Sequence, residues 1–247
     1  LSNYKLHEEN WPPPEIEAIN KANGTIRVEF PKRHSDHLGK FRHLDVRWWA
    51  ESHLTEEAAK AAPANETRDE IVSSDGDGYE LCWISSSGVK QVRTGHKEKR
   101  RPPSMLNPMD LGLGVRMLDG WDWLTPEDLK DAAVEIVSAR EVNLRMKDAF
   151  YGREHLWRFD PQNGFALTTY VIIRDGIETM VLCKDFRSVD GVRLPYQIDI
   201  RRFTPEDGPV MQASYSVTKY ELNSPENTAE SFHITSPVKS GDRDGQK

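Results

Sequence analysis

The residues that could do chemistry come in small clusters. His34, Asp36 and His37, with His43 beyond, supply the imidazole and carboxylate groups that hold zinc. No helix is expected there to gather them on one face, so the segment reads as a solvated loop and no metal is assigned. Asp75-Gly76-Asp77-Gly78 begins like a calcium loop, but such a loop needs a Glu at its twelfth position, where this chain has Ser86. A hairpin turn fits better. Leu111-Gly112-Leu113-Gly114 lacks the third glycine and the Lys-Ser/Thr pair of a phosphate loop. Its glycines suit a sharp bend or close packing. Ser85 to Ser87 shows no nucleophile-elbow pattern, and no carboxylate spacing singles out an acid–base pair. No catalytic residue and no cofactor is assigned, and the chain reads as non-enzymatic.

Apolar chemistry is better represented. The seven tryptophans are Trp11, Trp48, Trp49, Trp83, Trp121, Trp123 and Trp157. Trp48 and Trp83 fall on apolar strand faces. Trp121 and Trp123 close a Gly-rich apolar stretch holding Leu111, Leu113, Met117 and Leu118. These eight residues, Trp48, Trp83, Leu111, Leu113, Met117, Leu118, Trp121 and Trp123, read either as part of an ordinary core or as the lining of a cavity between a curved sheet and a covering segment. A large sheet with few helices leaves a concave face that side chains alone fill poorly.

The elements that must position them are mostly strands. From Glu154 to Leu222 one strand follows another across four turns, Asp160-Pro161-Gln162-Asn163-Gly164, Asp175-Gly176, Asp190-Gly191 and Thr204 to Gly208. Each turn supplies Gly, Pro, Asn or Asp where the backbone reverses, and short turns force antiparallel pairing. Thr25 to Phe30 alternates, with Ile26, Val28 and Phe30 on one side, and Phe41 to Ala50 is read as one further strand. Pro31 to Lys40 reads as a charged loop between them. Ile71 to Thr94 holds two or three strands, and strands resume at Val134 and Val142. Glu15 to Ala22 is read as a short helix ended by Gly24. A second helix from Glu56 to Ala62 is capped by Thr55, and a third starts at Thr125-Pro126 and ends near Ala132 or Ala133. The sum is about ten strands in one antiparallel sheet.

Composition bounds the class. The chain has 247 residues, 37% apolar and 30% charged, with a net charge of −7. The negative charge argues against general nucleic-acid binding. No apolar run is long enough for a membrane span. Cys82 and Cys183 lie in expected strands and read as two buried small apolar side chains. The basic run His96 to Pro103 reads as a solvated loop.

Trp157-Arg158-Phe159-Asp160-Pro161-Gln162-Asn163-Gly164 resembles the W-x-x-D-P-x-x-G hairpin of the outer-membrane lipoprotein-sorting (LolA-like) superfamily. Asp185-Phe186-Arg187-Ser188-Val189-Asp190-Gly191-Val192-Arg193-Leu194-Pro195 is similar to its D-F-x-x-V-D-G-V-x-x-P segment, and Asn107 to Leu113 followed by Leu129 to the lid of planctomycete-type relatives. The resemblance covers Ile16 to Pro237. It implies a mainly β fold, a single curved antiparallel sheet forming an unclosed β-barrel, with short helices over its concave face. On this reading residues 1–14 are an extended arm and 15–238 the half-barrel, with 51–68 an insertion and 105–133 lid-like. Residues 239–247 are a polar tail. The resemblance further implies a non-enzymatic periplasmic or cell-envelope protein whose partner is a lipid or a lipoprotein acyl chain. A signal segment is expected upstream of Leu1. The alternative is an envelope sensor with the same fold, a packed core and a protein partner.

Overall fold

The computed structural model describes residues 19–44, 47–74, 78–96, 132–147 and 152–234. They form thirteen strands, β1 (Ile19–Phe30), β2 (Arg33–Leu44), β3 (Arg47–Leu54), β4 (Thr67–Ser74), β5 (Gly78–Ser85), β6 (Lys90–His96) and β7 (Ala133–Ser138). The remainder are β8 (Glu141–Lys147), β9 (Glu154–Asp160), β10 (Ala166–Arg174), β11 (Ile177–Val189), β12 (Val192–Thr204) and β13 (Gly208–Leu222). All belong to one sheet in the order β6-β5-β4-β3-β2-β1-β13-β12-β11-β10-β9-β8-β7. Every pairing is antiparallel. The sheet does not close on itself, because β6 and β7 are its two edges. This is the unclosed half-barrel that the sequence resemblance implied.

The four turns of the C-terminal meander fall where their residues place them. Arg174 pairs with Ile177 and Val189 with Val192, leaving two-residue turns. Asp175 and Gly176 have φ of 51° and 79°, and Asp190 and Gly191 of 49° and 87°. A tight hairpin that follows the strand twist needs φ > 0 at both positions, which Asp tolerates and Gly permits freely. In the first turn the Asp160 carboxylate accepts from the Gln162 N–H and caps a 3-10 turn over Pro161–Asn163.

The N-terminal half departs from the sequence reading in three ways. Ile19 to Ala22 is strand, not helix. Lys21 pairs with Glu221 and Ala22 with Tyr220, so sheet pairing overrides a short helical period. Residues 15–18 lie outside the described residues. Most of the segment expected as a charged loop is β2, paired with β1 from Arg33 to Arg42 and with β3 from His37 onward. Its inner positions are Ser35, His37 and Gly39, which hide the alternation. Finally, Phe41 to Ala50 is two strands, because Leu44 pairs with Arg47 and the chain reverses between them. The first change only lengthens β1, and the other two turn two expected strands into three, in a sheet of thirteen strands where about ten were expected.

The helix expected after Thr55 is present as α1 (Glu56–Ala61). The Thr55 hydroxyl accepts from the Ala58 N–H at 3.3 Å, with Glu56 and Glu57 in the first turn and Lys60 in the last. Segment 51–68 is therefore the β3–β4 connection together with the strand ends that flank it. Cys82 and Cys183 are both buried, as expected, and both are free; burial pushes the Cys183 thiol up to about 12. The arm, the lid-like residues 105–131, the third helix to residue 131 and the tail fall outside the described residues. Among the described residues no helix is long and apolar enough to cross a membrane.

Candidate functional site

Residues directly opposite in an antiparallel pair share a face, and successive residues alternate between faces. The register therefore defines an inner face across the whole sheet. Ala22, Ile26 and Val28 of β1 continue into Phe41 of β2, Ala50 of β3, Val72 of β4 and Leu81 of β5. In the other direction they continue into Ala213 and Tyr215, Ile198 and Ile200, Val181 and Cys183, then Tyr170, Trp157 and Leu144. All of these are buried and form one core cluster. An apolar band thus runs along the inner face from β5 to β8.

Its texture is not uniform. At β8–β12 it is filled by large side chains. Trp157 is 0% exposed and stacks on His155 and Tyr170 with centroids 5.4 and 5.3 Å apart. Near the middle of the sheet the side chains vanish. Gly24 of β1 lies directly opposite Gly39 of β2, and Gly39 opposite Ser52 of β3. A shallow depression of about 40 Å³ opens there, lined by Ala22, Gly24, Ile26, Gly39, Phe41, Ala50, Tyr215 and Val217, with Asn23, Thr25, Lys40, Glu51 and Ser216 contributing to its rim.

The two glycines are there for different reasons. A Cβ on Gly24 would sit 2.4 Å from the Ser216 carbonyl oxygen, beside a bulge where β13 carries an extra residue. A Cβ on Gly39 would meet chiefly the Ile26 side chain, 2.6 Å from Cδ1 and 3.2 Å from Cγ1. Gly24→Ala is therefore expected to cost about 2–3 kcal/mol, because backbone must move. Gly39→Ala is expected to cost under about 1 kcal/mol, because the Ile26 tip can rotate. Urea unfolding of the two variants checks the contrast.

A polar chain borders the depression on the same face. His37 Nε2 lies 3.0 Å from Ser35 Oγ, and His37 Nδ1 lies 3.0 Å from Ser52 Oγ. Burial holds the His37 pKa below the usual imidazole value, against the opposing charges of Glu66 and Asp36.

The outer face under the same strands carries a charged network. His53 lies between Asp69, at 3.0 Å from Nδ1, and Glu51, at 3.1 Å from Nε2. The Trp49 indole N–H and the Lys40 ammonium also reach Glu51. The Glu51 hydrogen bond raises the His53 pKa, opposed by burial and helped by Asp69. For Glu51 the burial that would raise its pKa is outweighed by His53, Lys40 and Trp49, leaving it at about 2. A raised histidine contributes stability that is complete below its unfolded value of 6.5 and is lost as pH rises through its folded value. His37 acts with the opposite sign, so the difference between wild type and His53→Gln isolates His53. That difference in unfolding free energy is expected to be largest below about pH 6.5 and to shrink above it; urea titrations across this range measure it.

The expected site residues fare unevenly. Trp83 is half-buried on the inner face, opposite Glu70 and Gln91, and packs on the core. Trp48 takes a β3 position in register with His43 and Ser74. Leu111, Leu113, Met117, Leu118, Trp121 and Trp123 lie outside the described residues. The histidine cluster does not converge, because strand alternation sends His37 inward and His34 and Asp36 outward, where Asp36 accepts twice from Arg27 at 2.7 and 2.9 Å. Among the described residues no three His, Cys, Asp or Glu side chains are placed to hold a metal. Sequence reasoning missed the Gly24–Gly39 floor and the Ser35–His37–Ser52 chain. Their signal was a period-2 alternation running through small and polar residues.

An unclosed antiparallel half-barrel with an apolar inner face is thus the class of this protein. No protein-family sequence profile and no curated protein matches the chain. Among solved structures, the chain is similar to an outer membrane lipoprotein-sorting protein domain from Vibrio parahaemolyticus, with a TM-score of 0.53, 8% identity, and 83% of this chain and 86% of that one covered. It is also similar to a LolA superfamily protein from Nitrosomonas europaea, with a TM-score of 0.51, 14% identity, and 92% and 93% covered. The fold is the LolA-like fold.

Proposed function

We propose that this is a non-enzymatic cell-envelope protein, working in the periplasm, that binds a lipid, a lipoprotein acyl chain or another apolar ligand against the inner face of its half-barrel. The observation that carries the reading is the pairing of an apolar inner face with a glycine-floored depression. The shallow hollow walled by Phe41, Ile26, Tyr215 and Val217 gives an apolar chain a starting place that the filled β8–β12 region lacks. Connectivity supports it. The chain between His96 and Ala133 joins the two opposite edges of the sheet, and it carries Leu111, Leu113, Met117, Leu118, Trp121 and Trp123. On this proposal those residues close over the ligand from the open side, with Trp48 and Trp83 on the sheet. Apolar burial at about 25 cal/mol per Å² makes such binding tolerant of ligand shape. The fold shared with a lipoprotein-sorting domain supports the ligand class.

Native mass spectrometry of protein purified without detergent, followed by organic extraction, tests the reading. A lipid bound near one-to-one is the expected result. Leu113→Asp and Trp121→Asp are expected to abolish uptake of an apolar fluorescent probe with an unchanged unfolding midpoint. Full uptake in both folded variants would remove the lid assignment. The dense packing around Trp157 favours a second reading, a sensor module with a packed core and a protein partner, and an empty protein that refuses the probe would select it.

A further inference from the structure

We propose that Ser35, His37 and Ser52 form a head-group subsite beside the depression, and that the ligand is an amphiphile with a neutral head carrying both a hydroxyl and an ester or amide carbonyl, such as a glyceride. The inference rests on the binding reading above and names the ligand class for that site.

Position comes first. Ser52 lies directly opposite Gly39, and His37 is two residues before Gly39 on the same strand and face. The polar chain therefore begins where the glycine floor ends, within about 7 Å along the strand. A ligand whose chain occupied the floor would bring its head to these groups.

Hydrogen-bond capacity comes second. A neutral imidazole has one N–H and one lone pair. Of the two serines bound to His37, one must donate to the ring and the other must accept from it. The accepting serine keeps its O–H to donate, and the donating serine keeps lone pairs to accept. The chain thus presents one donor and one acceptor to a guest, and exchange of the His37 tautomer swaps their places. A carbonyl with a neighbouring hydroxyl satisfies both.

Charge comes third and excludes the commonest alternative. Glu70 lies directly opposite Ser52 on the inner face, and the charges of Glu66 and Asp36 act on His37. Arg33 is held by Glu66 at 3.2 Å and Arg27 by Asp36 at 2.7 Å, so neither guanidinium is left for a carboxylate head. A carboxylate head would meet acidic neighbours and a neutral histidine, whereas a neutral ester head meets neither penalty.

The test compares two lipids with the same chain, monoolein and oleate, as competitors of N-phenylnaphthylamine bound to the purified protein. Monoolein is expected to displace the probe at about tenfold lower concentration than oleate, the effect of roughly two hydrogen bonds. Ser52→Ala removes one of the two hydrogen bonds and is expected to reduce that preference to about threefold, through weaker monoolein binding. Ser35→Ala is expected to do the same and keeps the test decisive if the more deeply buried Ser52→Ala fails to fold. Equal or tighter binding of oleate, or a preference left undiminished by both substitutions, overturns the subsite. Probe uptake without any head preference overturns this inference alone, whereas refusal of the probe and both lipids overturns the binding reading with it.

Discussion

Trp157→Ala lowers the unfolding free energy by about 3–5 kcal/mol, the range for emptying a fully buried aromatic site. At about 2–4 °C per kcal/mol for a chain of this size, that is a fall in Tm of roughly 6–20 °C. The magnitude follows from where the ring sits. Trp157 is 0% exposed, on the inner face of β9, between Leu144 of β8 and Tyr170 of β10. His155, Trp157 and Tyr170 form a stack whose ring planes differ by at most 11°. The Tyr170 hydroxyl and His155 Nδ1 are 2.7 Å apart. Removing the indole leaves a void beside a buried hydrogen-bonded pair, and neither ring can collapse into it without breaking that bond. Trp157→Phe is the control. The indole N–H has no hydrogen-bond partner among the described residues, so replacing it with a phenyl ring forfeits volume but no hydrogen bond. A cost under about 1.5 kcal/mol is expected. Chemical unfolding of both variants measures the difference, and a Trp157→Ala cost below about 1.5 kcal/mol would show that the stack does not organise this half of the core.

That tryptophan was legible as part of a turn motif, and its depth in the core was not. The C-terminal meander could be read almost residue by residue because Asp175-Gly176 and Asp190-Gly191 state both the reversal and its geometry locally. The N-terminal half could not, because its inner face is built from residues that do not look like a core. Ser35, His37 and Gly39 occupy inner positions of β2, and Ser52 follows on β3. A search for alternating apolar residues passes over them as a charged loop. Gly24 was taken as a helix stop when it is a point where β1 and the bulged β13 approach too closely for any side chain. The reversal between Leu44 and Arg47 also resets the phase of the strand. Trp49 thereby lies on the outer face, where its N–H donates to Glu51. A depression defined by missing side chains has no signature in a list of large apolar residues. It becomes visible only once the register places two glycines opposite each other.

Phe232→Ala is expected to cost about 3–4 kcal/mol and to act on one half of the sheet. After β13 the chain returns across the outer face and ends its described course in a 3-10 turn over Ala229–Phe232. Phe232 is 1% exposed there. Its carbonyl accepts from the buried Ser73 hydroxyl of β4, and the Ile234 N–H donates to Glu80 of β5 at 2.6 Å. The Arg42 guanidinium of β2 lies 4.4 Å from the Trp49 ring and 5.8 Å from that of Phe232, bridging the two. The segment therefore ties the end of the chain to β2–β5, strands that precede it by some 150 residues, counting from Ser73 and Glu80 to Phe232 and Ile234. Without it Trp49 and Ser73 lose their cover, and among the described residues β4–β6 are held by the β3–β4 ladder, the inner face and the Arg33–Glu66 ion pair just before β4. Local opening of such an edge unit is governed by the contacts that bind it to the remainder. Amide exchange in Phe232→Ala should accelerate in β3–β5 far more than in β10–β12, with a red shift of tryptophan emission as Trp49 becomes hydrated. Uniform acceleration across all thirteen strands would mean that the half-barrel opens as one unit. The returning segment would then contribute only its share of total stability. The first outcome would make this outer-face contact the element that sets how readily the β3–β5 wall beside the Gly24–Gly39 depression loosens. Admission of a chain to the inner face would then depend on a contact made on the opposite side of the sheet.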